Sequence, residues 1–331
     1  LAGDAVATTD TMVDGVHFRT GQIPWRDLGW KSMAVNLSDV GSMGARSVMS
    51  LVTLGLTGDE SVSDLEELYR GIADITGEFG GAVAGGDIVS SPVLFITVAM
   101  TGEAVATNGG AAFNRARLMA GSMTGTTAGA GYPTAASQLK FDPGSKADPG
   151  GAALLRRDAV AVNDLIAVTG TIGDSGGGVR ALAEGLSGEA SDALKRAHFR
   201  PIPRMAAGIG LVTGGVLSAM DVSDGIADDI GKMCRASGVA AQIRMSAVPV
   251  SDNLKACFPD DYTNIALTGG EDYELLFTAP EPVMAAIVPS LGVPVSVIGE
   301  VIEGELGTVT VLDERARPIE ITGGGWDHLD A

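Results

Sequence analysis

Leu217-Ser218-Ala219-Met220-Asp221-Val222-Ser223-Asp224-Gly225 passes from a short apolar run into two carboxylates, then into a helical pattern that stops at Gly238. That order predicts a strand over 217–222, an acidic turn, and a helix from about 225, with Gly238 supplying the left-handed position that ends a helix. Related arrangements recur. The apolar residues of 5–10 run into Thr8-Thr9-Asp10, Ala82-Val83-Ala84 leads into Gly85-Gly86-Asp87, and Gly269-Gly270-Glu271-Asp272 precedes a strand over 273–278. Between them the periodicity predicts helices over 26–42, 61–79, 174–185 and 281–291, and strands over 47–56, 93–102, 165–168, 239–243, 294–301 and 308–312. The helix over 61–79 is the clearest, with Leu65, Leu68, Ile72, Ile75 and Phe79 on one face. Strands mixed with helices throughout the chain make it α/β.

The 331 residues suffice for two domains, and 45% hydrophobic against 19% charged residues is a globular balance. A formal net charge of −19 repels both a nucleic-acid backbone and an anionic membrane, so nucleic acid and membrane are excluded as partners. A phosphate ligand would then need a cation beside it. The two cysteines, Cys234 and Cys257, form no zinc-type spacing and fit a reducing, cytoplasmic location. The longest apolar runs reach about half of a bilayer-spanning length. From about residue 105 to 150 the chain is rich in Gly, Ala, Ser and Thr, which divides it into 1–104, an insertion or loop over 105–150, and 151–331. The sequence starts at Leu1 and reads as beginning inside a strand, so the natural N-terminus is expected upstream.

Carboxylates at strand ends, flanked by small or hydroxylic residues, sit where α/β folds bind ligands. Ser38-Asp39 places another on a helix. Clustered carboxylates repel one another unless a cation intervenes, and an oxygen-only donor set suits magnesium completed by substrate phosphates. Each such residue also reads as a turn former or helix cap, Asp224 most of all as an N-cap. Other chemistries fail on sequence. The chain has three histidines, His17, His198 and His328, and contains no HExxH or Walker A element. Gly208-Ile209-Gly210 follows no strand pattern and makes a poor dinucleotide site.

Several segments resemble those of bacterial thiamine-monophosphate kinases: Thr8-Thr9-Asp10 through His17-Phe18, Asp27 through Asp39 with Met43-Gly44-Ala45, and Gly85-Gly86-Asp87. So do Val168-Thr169-Gly170 with Gly173-Asp174, Arg200-Pro201-Ile202-Pro203-Arg204, Asp221 through Gly225, and Gly269 through Leu275. The resemblance covers nearly the whole chain outside 105–150. It implies transfer of the γ-phosphoryl group of ATP onto thiamine monophosphate, with several Mg2+ ions. It also implies the two-domain fold of the aminoimidazole ribonucleotide synthetase superfamily, as a homodimer paired through the N-terminal sheets. Carried over residue by residue, Thr9, Asp10, Asp39, Asp87, Asp221 and Asp224 match metal ligands, with Thr8 beside them. Tyr69, Gly86, Asp87, Arg157 and Ser223 match ATP contacts, and His17, Glu271 and Trp326 match positions that hold thiamine phosphate. No residue is assigned as a catalytic base.

The sequence departs from that pattern in three places. The family's upstream Gly-Asp-Asp segment has no counterpart here, since Gly3-Asp4 lies too close to Thr8-Thr9-Asp10. Ile88-Val89-Ser90 replaces the usual Thr-Thr-Arg after Gly-Gly-Asp, and the 105–150 insertion lies just before Arg157. Two other readings stay open at this point: another ATP-using enzyme of the superfamily, which would lack its usual cysteine motifs here, and a non-catalytic homologue that senses nucleotide or thiamine phosphate.

Overall fold

The computed structural model describes residues 5–105 and 153–319. The N-terminal half comprises β1 (Ala5–Val13), α1 (Trp25–Ser42), β2 (Ala45–Leu56), α2 (Val62–Phe79), β3 (Ala82–Ser90) and β4 (Phe95–Ala104). Its strands form one sheet in the order β1-β4-β2-β3, with β4 antiparallel to both neighbours and β2 parallel to β3. Alternation sorts the side chains. Val6, Met12, Val52, Leu54, Ile96, Val98 and Met100 are buried in one core with residues of the two helices, while Met49, Leu51 and Ala99 lie on the other face, which stays open. α2 begins at a reciprocal capping box between Ser61 and Asp64.

Two acidic positions differ from the sequence reading. β1 runs on through Asp10 to Val13 and β3 runs through Asp87 to Ser90, so both carboxylates are mid-strand and not at strand ends. Continuous pairing with β4 and β2 overrides the local turn signals, including Gly85-Gly86.

α1 is the central element. Every residue from Leu28 to Ser38 is buried, as befits a helix covered on all sides. Glycines permit that covering. A Cβ on Gly29 would lie 1.9 Å from the Leu68 carbonyl oxygen of α2, and one on Gly208 would lie 1.9 Å from the Gly41 carbonyl oxygen. Gly208 therefore serves a helix crossing, which explains the loose glycine pattern around it.

The C-terminal half begins with β5 (Leu165–Thr169), α3 (Asp174–Ala183), α4 (Glu189–Phe199), α5 (Met205–Thr213), β6 (Ser218–Asp221) and α6 (Ile226–Ser237). It continues with β7 (Ala240–Arg244), α7 (Asp252–Cys257), α8 (Tyr262–Thr268), β8 (Leu275–Ala279), α9 (Glu281–Ile287), β9 (Val295–Ile302) and β10 (Val309–Leu312). The sheet order is β10-β7-β9-β5-β8-β6, antiparallel except for the parallel β10–β7 pair. β8 is buried at every position. The sequence periodicity did not reveal α4, α5, α7 and α8; of these, α7 and α8 span only six and seven residues, too few turns for a strong repeat. It also overextended two elements. β8 starts at Leu275 because Glu271 and Tyr273 take positive φ angles of 65° and 52°, and α9 gives way to a 3-10 turn at Val288.

The halves are joined around α1. Met205 completes the N-terminal core, and Trp30 Nε1 donates to the Pro201 carbonyl at 2.8 Å. The Arg200 guanidinium lies 4.1 Å from the Trp30 ring centroid and pairs with Asp27 at 2.8 Å. No helix among the described residues is long and apolar enough to cross a membrane.

Candidate active site

Thr8 and Asp10 project from the helix-facing side of β1 toward Asp39 on α1. The Thr8 hydroxyl donates to Asp39 Oδ2, and Asp10 shares a side-chain hydrogen bond with the same carboxylate. Asp221, the last residue of β6, arrives from the other half of the chain, where Ser38 Oγ donates to its Oδ2 at 2.6 Å. Burial, reinforced by Asp39, pushes the Asp10 carboxyl up to about 7. Asp221 rises to about 7 for the same two reasons, and burial raises Asp39 despite Thr8, Asp10 and the Arg157 guanidinium, which all favour its ionised form. Three carboxylates in so little water need either a proton or a cation between them. The donors are all oxygen, so the set fits magnesium, which takes carboxylates and retains water.

Beside these carboxylates opens a cavity of about 610 Å³, lined by Thr8, Asp39, Met43, Leu155, Arg157, Met220, Asp221 and Ala236 among others. Its volume is in the range of small-ligand sites. Its lining combines Asp39 and Asp221 with Arg157, which suits a phosphate held through a cation.

The remaining positions singled out by sequence are dispersed. Thr9 points to the opposite, open face of β1, so Thr8 is the threonine that reaches Asp39. Gly86 and Asp87 lie on β3, an exposed strand separated from β1 by β4 and β2. Asp87 falls in the cross-strand row of Thr11, Thr97 and Thr53, on the open face. Tyr69 is 38% exposed on α2. Asp224 does not cap α6, whose N-cap residue is Gly225 without a side-chain bond. It joins Asp228 and Asp229 around Lys232 Nζ, which lies 2.9 Å from Asp228 and 2.8 Å from Asp229. Ser223 and Asp224 donate their backbone N–H groups to Asp229 Oδ2 at 2.9 and 3.0 Å, so Asp229 ties the acidic turn to the first turns of α6 without capping the helix. Trp326 lies outside the described residues.

The acidic residues of Gly269–Leu275 each have a separate partner. Glu271 Oε1 lies 3.0 Å from Lys31 Nζ, and its Oε2 lies 3.4 Å from His198 Nδ1. Burial opposes charge on Glu271, but Lys31, His198 and His17 outweigh it and hold the carboxyl below its usual range. Asp272 accepts from the N–H groups of Gly173 and Ser175 at 2.6 and 3.0 Å, closing the start of α3. Glu274 accepts from Arg204 Nε at 2.7 Å and from Thr169 Oγ1 at 2.6 Å. The three motifs around residues 169, 204 and 271 thus converge in space. Tyr273, buried among them, has its hydroxyl pushed well above its usual value by burial and by Glu271, Asp221, Asp10 and Asp39. His17 is set in the turn after β1, where its Nδ1 accepts from the Val13 N–H at 3.1 Å.

Sequence reasoning missed Ser38, Lys31, His198, Tyr273 and Lys232 as site neighbours. Only Lys31 carried a signal, as the one cation inside the apolar pattern Trp30–Val40.

Comparison with known proteins bears on this arrangement. The family described as AIR synthase related protein matches through its N-terminal domain over residues 2–104 and its C-terminal domain over residues 161–312. Thiamine-monophosphate kinase from Escherichia coli O157:H7 is 32% identical over 329 residues, covering 97% of this chain and 86% of that protein. The thiamine-monophosphate kinase of Methanopyrus kandleri is 33% identical over 323 residues, covering 96% of this chain and 85% of that one. Among solved structures, AaThiL complexed with AMPPCP and TMP aligns with a TM-score of 0.76 at 28% identity, covering 98% of this chain and 87% of that chain.

Proposed function

The chain belongs to the thiamine-monophosphate kinases of the AIR synthase related family, and from that premise we propose that it phosphorylates thiamine monophosphate with ATP, yielding thiamine diphosphate and ADP. The observation that carries the reading is the meeting of Thr8, Asp10 and Asp39 from one half with Asp221 and Arg157 from the other, beside one cavity. The AMPPCP and TMP bound by a relative of the same fold are an ATP analogue and the matching acceptor.

In this mechanism an oxygen of the acceptor phosphate attacks the γ-phosphorus, and the bond from that phosphorus to the β,γ-bridging oxygen breaks, leaving its electron pair on ADP. The acceptor oxygen is already ionised near neutral pH, so no general base is required. Asp10, Asp39 and Asp221 would hold Mg2+, with Asp87 and Asp224 as further candidates. When bound there, magnesium supplies charge neutralisation for the phosphates of both reactants. Arg157, in the lining of the same cavity, would contact the nucleotide phosphates, with Ser223, Gly86 and Tyr69 as further nucleotide contacts. Glu271 and His17 meet the acceptor, and Trp326 is a further candidate for its cationic ring.

The same reading places the chain in the cytoplasm and makes it a homodimer. The open face of the N-terminal sheet exposes Met49 and Leu51 by 46% and 49%, and Asp87 and Thr9 lie on that face, so a second copy would cover them. The N-terminal unit over 1–104 then carries dimerisation and most metal ligands, and the unit over 151–331 closes the site.

The test is an assay for thiamine diphosphate and ADP with thiamine monophosphate and ATP, with and without magnesium. Magnesium-dependent formation of both products is expected. Retained ATP binding with neither product would favour the sensor reading.

A further inference from the structure

We propose that Lys31 and His198 are positioning residues for the thiamine-phosphate acceptor, acting through Glu271. The inference rests on the reading that Glu271 meets the acceptor.

Lys31 is fully buried in the middle of α1, an unusual place for an ammonium group. Its Nζ lies 3.0 Å from Glu271 Oε1 and 3.3 Å from His198 Nε2. The histidine in turn has Nδ1 3.0 Å from Ser175 Oγ and 3.4 Å from Glu271 Oε2. Lys31 Nζ also lies 3.4 Å from His198 Nδ1, so the ammonium sits against the ring beside both of its nitrogens. Each Glu271 oxygen is therefore held from behind, one by Lys31 and one by His198. The glutamate side chain nevertheless stays 28% exposed, so its front remains open to a ligand.

A plain stabilising pair accounts poorly for this arrangement. Burying an ammonium ion costs several kcal/mol, and well-packed apolar side chains of similar volume often match or exceed such a pair in stability. Glu271 is also held at a φ of 65°, with its N–H fixed to the Ser223 carbonyl at 2.8 Å, a conformation most residues avoid. Fixing both the backbone and the carboxylate of one partly exposed glutamate is what a binding group requires.

The helix gives the contact its second meaning. Lys31 and Asp39 lie eight residues apart on α1, about 12 Å along the axis. One rigid helix thus sets the carboxylate that faces the metal–phosphate cavity and, through Lys31, the carboxylate that faces the acceptor. Small displacements between reacting groups cost large factors in rate, so a shared rigid support has kinetic value.

Steady-state kinetics of the full chain test this with Lys31→Met, Glu271→Gln, the double variant and His198→Gln. Lys31→Met is expected to raise KM for thiamine monophosphate by about tenfold or more and to change KM for ATP by less than about twofold. His198→Gln should shift the same KM in the same direction. In the Glu271→Gln background, adding Lys31→Met should change neither KM by more than about twofold, because its effect runs through the lost carboxylate. If Lys31→Met alone does not fold, the comparison of Glu271→Gln with the double variant, which buries neither charge, decides the matter. A further rise in KM for thiamine monophosphate on adding Lys31→Met would overturn the proposal, as would equal effects of Lys31→Met on both substrates. An unmodified chain that makes no thiamine diphosphate overturns the functional reading and this inference together, whereas an active chain with an unchanged Lys31→Met variant overturns this inference alone.

Discussion

Ser38 Oγ donates to Asp221 Oδ2 at 2.6 Å across the junction of the two halves, so the helix that carries Asp39 also orients the carboxylate that arrives from β6. Outer-shell bonds of this kind typically govern metal affinity by about 10–100-fold. Ser38→Ala is expected to raise the magnesium concentration for half-maximal activity by about tenfold and to lower stability by about 1–3 kcal/mol, because a buried carboxylate loses its donor. A magnesium titration of turnover, set beside a thermal melt, checks both.

Asp39 sits between Asp10, Asp221 and Arg157 and is the common member of the repulsive set. Asp39→Asn should abolish turnover. In metal-free buffer it should leave stability unchanged or increased, since one buried like charge is gone. It should also abolish the rise in Tm that magnesium gives the parent protein. Scanning calorimetry with and without magnesium distinguishes this from simple unfolding. An active Asp39→Asn variant would remove the metal-centre assignment.

How much of this site was legible in sequence depended on the distance over which each signal acts. Asp10, Asp39 and Asp221 stood out because each adjoins a strong apolar pattern, and the motifs around them matched a family in order and spacing. Strand continuation through Asp10 and Asp87 was not legible, because pairing with β4 and β2 is a long-range property that local turn residues contradict. The Lys31–Glu271 pair was hidden for a related reason: its members are 240 residues apart and meet only when α1 is enclosed. The short helices α7 and α8 offer too few turns for periodicity to declare them.

The open sheet face yields a prediction about assembly. Leu51 is 49% exposed on the same face as Asp87 and beside Met49. Leu51→Asp should convert a dimer to a monomer in light scattering, because a carboxylate there could not be covered without a large desolvation cost. Turnover should fall with it if Asp87 acts at the covered face. A parent protein that is already monomeric at assay concentration would remove the homodimer from the proposal.

His198 gives a pH dependence whose sign is fixed. Burial, then Lys31, lowers its value from an ordinary 6.5 to about 3, with Glu271 opposing. The folded chain therefore refuses a proton that the unfolded chain accepts. The resulting stability is complete above the unfolded value and is lost as pH falls from 6.5 toward 3, with a limiting slope of about 1.4 kcal/mol per pH unit. His198→Gln should flatten the acid limb of urea-unfolding stability relative to the parent between about pH 6.5 and 3. Parallel curves for parent and variant would show that the imidazole does not stay neutral on folding.

The crossing of α5 over α1 leaves no space for a methyl group, since a Cβ on Gly208 would lie 1.9 Å from the Gly41 carbonyl oxygen. The obstacle is backbone, so relief requires the helices to separate. Gly208→Ala should then cost about 1–3 kcal/mol or more, as other overpacked cores do. Because α1 carries Ser38 and Asp39, the separation should also reduce turnover beyond what lost folded protein explains. Gly77→Ala is the matched control: it lies on the exposed side of α2 with nothing within 4 Å of the added carbon. There the same change should stabilise by about 0.5–1 kcal/mol through helix propensity alone, with turnover unchanged. Opposite shifts in chemical denaturation for the two variants would separate the close approach at Gly208 from any general response to replacing glycine in a helix.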